Sequence, residues 1–172
     1  MKKLIVFVFV AIVMAFQGCE GPVGPQGPEG PPGEDGGIFV GSAFEIEVDF
    51  NEGNNYELIE EYGFDVFPYD VTLVYIKWSP AGEDPIWRLI PQNIYFEEGV
   101  LQYNFDFTDL DVRIFLDGTI DFAILGDEWT QNQVFRVIVV PADNVDARMD
   151  FQNYEAVTKM LGLTDEDFVR RN

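Results

Sequence analysis

The sequence has no histidine and a single cysteine, Cys19. Without histidine, Ser-His-Asp and Cys-His machinery cannot be built, and without a second cysteine neither an internal disulfide nor the usual zinc ligand sets can form. Positive charge is also scarce: 10 Lys+Arg against 31 Asp+Glu give a formal net charge of −21. A field of that sign repels nucleic-acid phosphates and anionic headgroups, which removes nucleic-acid binding as a function class. No glycine-rich loop sits between a strand pattern and a helix pattern, so no phosphate loop is expected. Paired carboxylates remain as hydrolase chemistry, but among 31 acidic residues some pair will meet glycosidase spacing by chance. The expectation is a non-enzymatic protein without a cofactor.

What is present begins at the N-terminus. Lys2 and Lys3 precede thirteen unbroken apolar residues, 4–16 (LIVFVFVAIVMAF), and then Gln17-Gly18-Cys19. As a helix this run spans about 20 Å, short of the ~30 Å hydrocarbon core, so it suits a cleaved signal peptide over residues 1–18 better than a permanent span. A small residue directly before a cysteine resembles a lipobox, although Phe16 and Gln17 depart from its small-aliphatic pattern. Cys19 is therefore the expected lipidation site, carrying palmitate or related acyl chains, and acylation gives an otherwise unpartnered thiol a use. Loss of residues 1–18 leaves eight Lys+Arg against 31 Asp+Glu, a net charge of −23. No basic patch follows Cys19, so the lipid must anchor the chain alone, which takes two or three acyl chains.

Residues 19–37 form the next block. Within it, residues 21–35 read GPV-GPQ-GPE-GPP-GED, and Gly36 opens a sixth triplet. At a Gly frequency of ~7%, six glycines at consecutive third positions arise by chance about once in ten million draws. Glycine every third residue is what a collagen triple helix needs at its axis, and proline favours polyproline II even in one chain. Extended at ~3.1 Å per residue, the segment spans about 45 Å. It is expected to be a spacer between bilayer and domain, as a monomeric tether or, alternatively, a trimer.

From residue 38 the pattern has a period of two. Phe44, Ile46, Val48 and Phe50 alternate with Glu45, Glu47 and Asp49, and Asn51-Glu52-Gly53-Asn54-Asn55 reads as a turn. Residues 71–78 are β-branched and aromatic, 79–85 break the run, and 86–90 resume it. Leu101, Tyr103, Phe105 and Phe107 alternate with polar residues. Residues 112–116 and 119–125 flank Asp117-Gly118, which suits a tight hairpin, and 134–140 (VFRVIVV) reads as a central strand covered on both faces. Seven or eight short strands with frequent turns predict an all-β domain, an antiparallel β-sandwich over residues 38–143. Residues 144–172 read as a docked helical tail. Asn153 caps a helix to Leu161 with Gly162 as its stop, and a second short helix starts at Thr164, with Arg170 and Arg171 at its C-terminal end.

A cysteine after a lipobox-like run, a few Gly-X-Y triplets, and an acidic β domain with the segments DPIWRLIPQ (84–92) and TQNQVFRVIVVPAD (130–143) together resemble a group of small bacterial collagen-like lipoproteins. The resemblance implies a location in the cell envelope, lipid-anchored at the outer membrane or cell surface, and implies no mechanism. The expected role is interaction or adhesion through a protein or glycan partner; the alternative is a carbohydrate- or calcium-binding module. Asp106, Asp109 and Asp111 at a strand exit, and Asp143, Asp146 and Asp150 after the last strand, supply oxygen ligands of the kind Ca²⁺ takes, without EF-hand spacing. Trp78, Trp87 and Trp129 are the candidate sugar-stacking residues. Whether Trp78 and Trp87 share a face depends on strand register.

Overall fold

The computed structural model describes residues 42–79, 83–142 and 150–171. The signal peptide, Cys19 and the Gly-X-Y block lie outside these residues, as do Asp143 and Asp146. The described chain is mainly β and forms two sheets. Its strands are β1 (Ser42–Val48), β2 (Glu57–Glu61), β3 (Val71–Lys77), β4 (Trp87–Leu89), β5 (Gln92–Phe96), β6 (Gly99–Phe107), β7 (Asp111–Gly118), β8 (Gln133–Val140) and β9 (Val169–Arg171). Two helices join them, α1 (Asp127–Thr130) and α2 (Tyr154–Leu161).

One sheet has the order β4-β3-β8-β1-β9 and the other β2-β7-β6-β5. Alternation along the strands explains why they face each other. Phe44, Ile46 and Val48 of β1 point inward with Val74 and Ile76 of β3 and Phe135, Val137 and Val139 of β8. There they meet Leu101 and Tyr103 of β6 and Val112, Ile114 and Leu116 of β7 in one core. This is the packing of a β-sandwich. β8 lies in the middle of its sheet, and its other face, with Ile138 and Val140, is covered by Val157 and Leu161 of α2 together with Leu163 and Phe168. A near-continuous apolar run is what a strand buried on both faces requires.

α2 keeps the caps read from the sequence: the Asn153 side chain accepts from the Ala156 N–H at 3.0 Å, and Gly162 closes the helix at φ 66°. Two expectations are corrected. Residues 119–125 do not form a strand after a tight Asp117-Gly118 turn. Gly118 stays in the ladder opposite Leu101, and Phe122–Ile124 is a single 3-10 turn. Gly118 has φ 132°, and a Cβ there would run into the Val100 carbonyl, so glycine serves close strand approach and not a hairpin. The tail is also not wholly helical. After a 3-10 turn at Asp165–Asp167, Arg170 and Arg171 lie on β9, which pairs with β1 in parallel, the one parallel pairing among the described strands.

Candidate functional site

The three tryptophans fall on two sides of the β4-β3-β8-β1-β9 sheet. Trp78 follows β3 on the inner face, its N–H donating to the Ile86 carbonyl at 2.7 Å. Trp129 sits on α1, and the two indoles are 6.4 Å apart between centroids, tilted by 54°. Trp87 points to the other side. It stacks on Tyr154 of α2 at 5.6 Å, and the Arg136 guanidinium lies over it at 4.4 Å. Trp87 therefore packs the C-terminal helix, while Trp78 and Trp129 come together at the end of the sandwich.

Around that pair is an open hollow of about 570 Å³, within the range of small-molecule sites. Its floor is Trp78, Trp129 and Tyr103. The buried Tyr103 hydroxyl donates to the Trp129 carbonyl at 2.6 Å and fixes α1 over the core, while burial pushes its pKa up and keeps it neutral. Gln133 braces the same turn, its amide donating to the Glu128 and Gln131 carbonyls at 3.0 and 2.8 Å. Glu47, also in the lining, is engaged by Arg170 at 2.8 Å. Three lining side chains behave differently. Within the described residues, Lys77, Glu128 and Asn132 make no side-chain hydrogen bond or ion pair. Asn132 is exposed and held at φ 53° with its N–H donated to Asp49 at 2.7 Å, which leaves the amide group unused. A second hollow of about 210 Å³ shares Glu128 and Trp129 with the first and continues to Phe96 and Ile124. Trp129 stands between the two, its ring edge-on to Phe96 at 5.5 Å.

Three of the acidic candidates, Asp106, Asp111 and Asp150, are engaged within the fold. Arg113 Nη2 takes the Asp106 carboxylate and Nη1 takes Glu57 at 3.4 Å. Asp111 accepts from the Thr108 hydroxyl at 2.8 Å, closing the turn between β6 and β7 that leaves Asp109 at its exposed tip. Asp150 accepts from the Gln152 N–H at 3.0 Å. Among the described residues no three acidic side chains gather as a metal ion would require.

Comparison with known proteins adds nothing to this geometry: no family model, no curated protein and no solved structure matches the chain. What sequence reasoning missed at this site are Lys77, Asn132 and Glu128. The only signal was Asn132 in the polar stretch before β8, and its place beside Trp78 depends on pairings more than fifty residues apart.

Behind the opposite face lies a second polar centre. Arg136 of β8 is only 7% exposed. Its Nε donates to Glu45 at 3.1 Å, and its Nη1 donates to Asp165 at 2.7 Å and to the Tyr154 hydroxyl. Trp87 and Phe168 lie against the guanidinium at 4.4 and 4.1 Å. Burial alone would lower its pKa, but the hydrogen bonds it donates to Tyr154, Asp165 and Glu45 outweigh that and raise it, so the charge is retained. Glu45 in turn holds Arg170 of β9 at 2.8 Å. These partners tie β8, β1, α2 and β9 to one another, so the cluster fastens the C-terminal segment to the sheet.

Proposed function

We propose that this chain is an exported bacterial lipoprotein, cut before Cys19 and acylated there. It carries its acidic β-sandwich away from the outer membrane or cell surface on the Gly-X-Y segment, as a non-enzymatic interaction or adhesion module. One observation carries the reading: the only cysteine stands directly behind Gly18 and a thirteen-residue apolar run. The order of parts supports it, because β1 opens at Ser42, six residues after the last glycine of the triplets at Gly36. No helix among the described residues is long and apolar enough to cross a membrane; attachment in this reading runs through the acyl chains, of which two or three hold stably where one does not.

Metabolic labelling with a palmitate analogue tests it. The parent chain is expected to take the label and sediment with membranes, and Cys19→Ala to lose both. Equal labelling of the two proteins would overturn the proposal.

A further inference from the structure

The end of the sandwich that carries Trp78 and Trp129 has the composition of a binding site. We infer that it takes a neutral oligosaccharide, read as a chain of pyranose rings with one ring seated against Trp129. The inference rests on the non-enzymatic binding role proposed above and names its ligand class.

The chemistry of the hollow leads there. A pyranose has an apolar face of C–H groups and a rim of hydroxyls that both donate and accept. Indole rings match the face, since they bring large apolar area with little conformational freedom to lose. The rim is best met by polar groups with their full donor and acceptor capacity still free, because a group engaged within the fold has part of that capacity spent and its orientation fixed. Lys77, a donor, Glu128, an acceptor, and Asn132, both, are unengaged among the described residues, and all three line the same hollow as the indoles. Their neighbours Tyr103 and Gln133 are tied to backbone carbonyls, which holds the floor still while the rim stays available.

Length and charge narrow the class further. The hollow of about 570 Å³ and its neighbour of about 210 Å³ share Trp129 and Glu128, so both open beside the same indole and a ligand of several rings has room on either side of it. A single sugar would leave one of them empty. Uronate, sulfate and phosphate substituents are disfavoured, because the sequence carries 31 carboxylates against 10 basic residues; among the described residues Lys77 is the one cation lining the larger hollow, and Arg88 is already committed to the Trp78 ring at 4.6 Å. An apolar peptide is disfavoured as well, because it would bury Glu128, Lys77 and Asn132 without partners.

The whole chain, solubilised in detergent, is titrated calorimetrically with the β-1,4-linked hexamers of glucose, N-acetylglucosamine and mannose. The dimers of the same sugars and hexagalacturonate are run beside them. At least one neutral hexamer should bind, more tightly than its dimer, and hexagalacturonate should not. Trp129→Ala is expected to weaken binding by at least about tenfold. Trp129 also packs on Phe96, so Asn132→Gly is the variant that separates binding from folding. Glycine accepts φ 53° and retains the N–H to Asp49, so the fold should persist while affinity falls several-fold. Tyr69→Ser, an exposed position ahead of β3, should bind like the parent. If no neutral hexamer binds, or if Asn132→Gly and folded Trp129→Ala bind like the parent, the site is wrong, while the lipid-anchor reading stands on its labelling result. Binding accompanied by release of reducing ends would keep the site and overturn the non-enzymatic role.

Discussion

At the scale of single residues, the most consequential side chain outside the candidate site is Arg136. It interrupts an apolar strand, VFRVIVV, and a charge in a run covered on both faces is tolerated only with partners. The partners come from three distant places: Glu45 on β1, Tyr154 on α2 and Asp165 behind it. None could be identified from the sequence, because each lies well away along the chain and no local pattern marks it. The strand was legible; the reason for its arginine was not. Arg136→Ala would strip a buried acceptor of its cation and empty the slot between Trp87 and Phe168. Breaking a buried pair costs about 3–5 kcal/mol. The lower end is expected here, because Glu45 keeps Arg170 at 2.8 Å and Asp165 is largely exposed. Urea unfolding followed by circular dichroism should show a fall of about 3 kcal/mol at unchanged m-value. A fall below about 1 kcal/mol would mean that the network contributes no more than a surface ion pair.

At the scale of elements, legibility followed length and periodicity. β1, β3, β6 and β8 were readable because seven to nine residues each carry either alternation or a nearly continuous apolar run. β2 and β5 were missed: at five residues each, on the two edges of their sheet, they show little contrast between faces. β9 is three residues, Val-Arg-Arg, and its two arginines sit as well at a helix end as on a strand edge; only its pairing with β1 decides. The Asp-Gly pair misled for a related reason, since the glycine that permits a hairpin also permits a strand to approach its neighbour closely. α2 was legible from its Asn153 and Gly162 caps and its apolar face, and packing carries its stability, because eight residues are too few to hold a helix alone. Leu161, 4% exposed, should be the anchor. Leu161→Ala is expected to cost about 2–4 kcal/mol. Amide exchange would then rise first in α2 and β9, while β6 and β7 stay protected. Uniform exchange across both sheets would show instead that the tail and the sandwich unfold as one unit.

At the scale of the whole molecule, the question is whether the Gly-X-Y block holds one chain or three. It is proposed here as a monomeric polyproline II tether. Five triplets offer little cooperative gain against the entropy of ordering three chains at once. Gly30-Pro31-Pro32 is the single triplet with proline at both remaining positions. Charge opposes association as well. Glu29, Glu34 and Asp35 have no lysine within the repeat, so a trimer would bring nine like charges around one axis. At physiological salt the Debye length of ~8 Å does not screen strands packed side by side. The net charge of −21 works in the same direction for the whole chain, favouring molecules that stay apart. The alternative assigns trimerisation to the β domain, with the triplets following passively, and the two differ in mass. Sedimentation equilibrium on residues 19–172 carrying Cys19→Ser, which removes the proposed acylation site, should return the mass of one chain at micromolar concentration. Circular dichroism should show a polyproline II signal that declines gradually on heating and does not depend on concentration. A three-chain species whose triplet signal melts cooperatively, at a temperature rising with concentration, would replace the tether with a collagen stalk. It would also make the proposed glycan site trivalent, so that avidity and not single-site affinity would set how tightly the protein holds a surface.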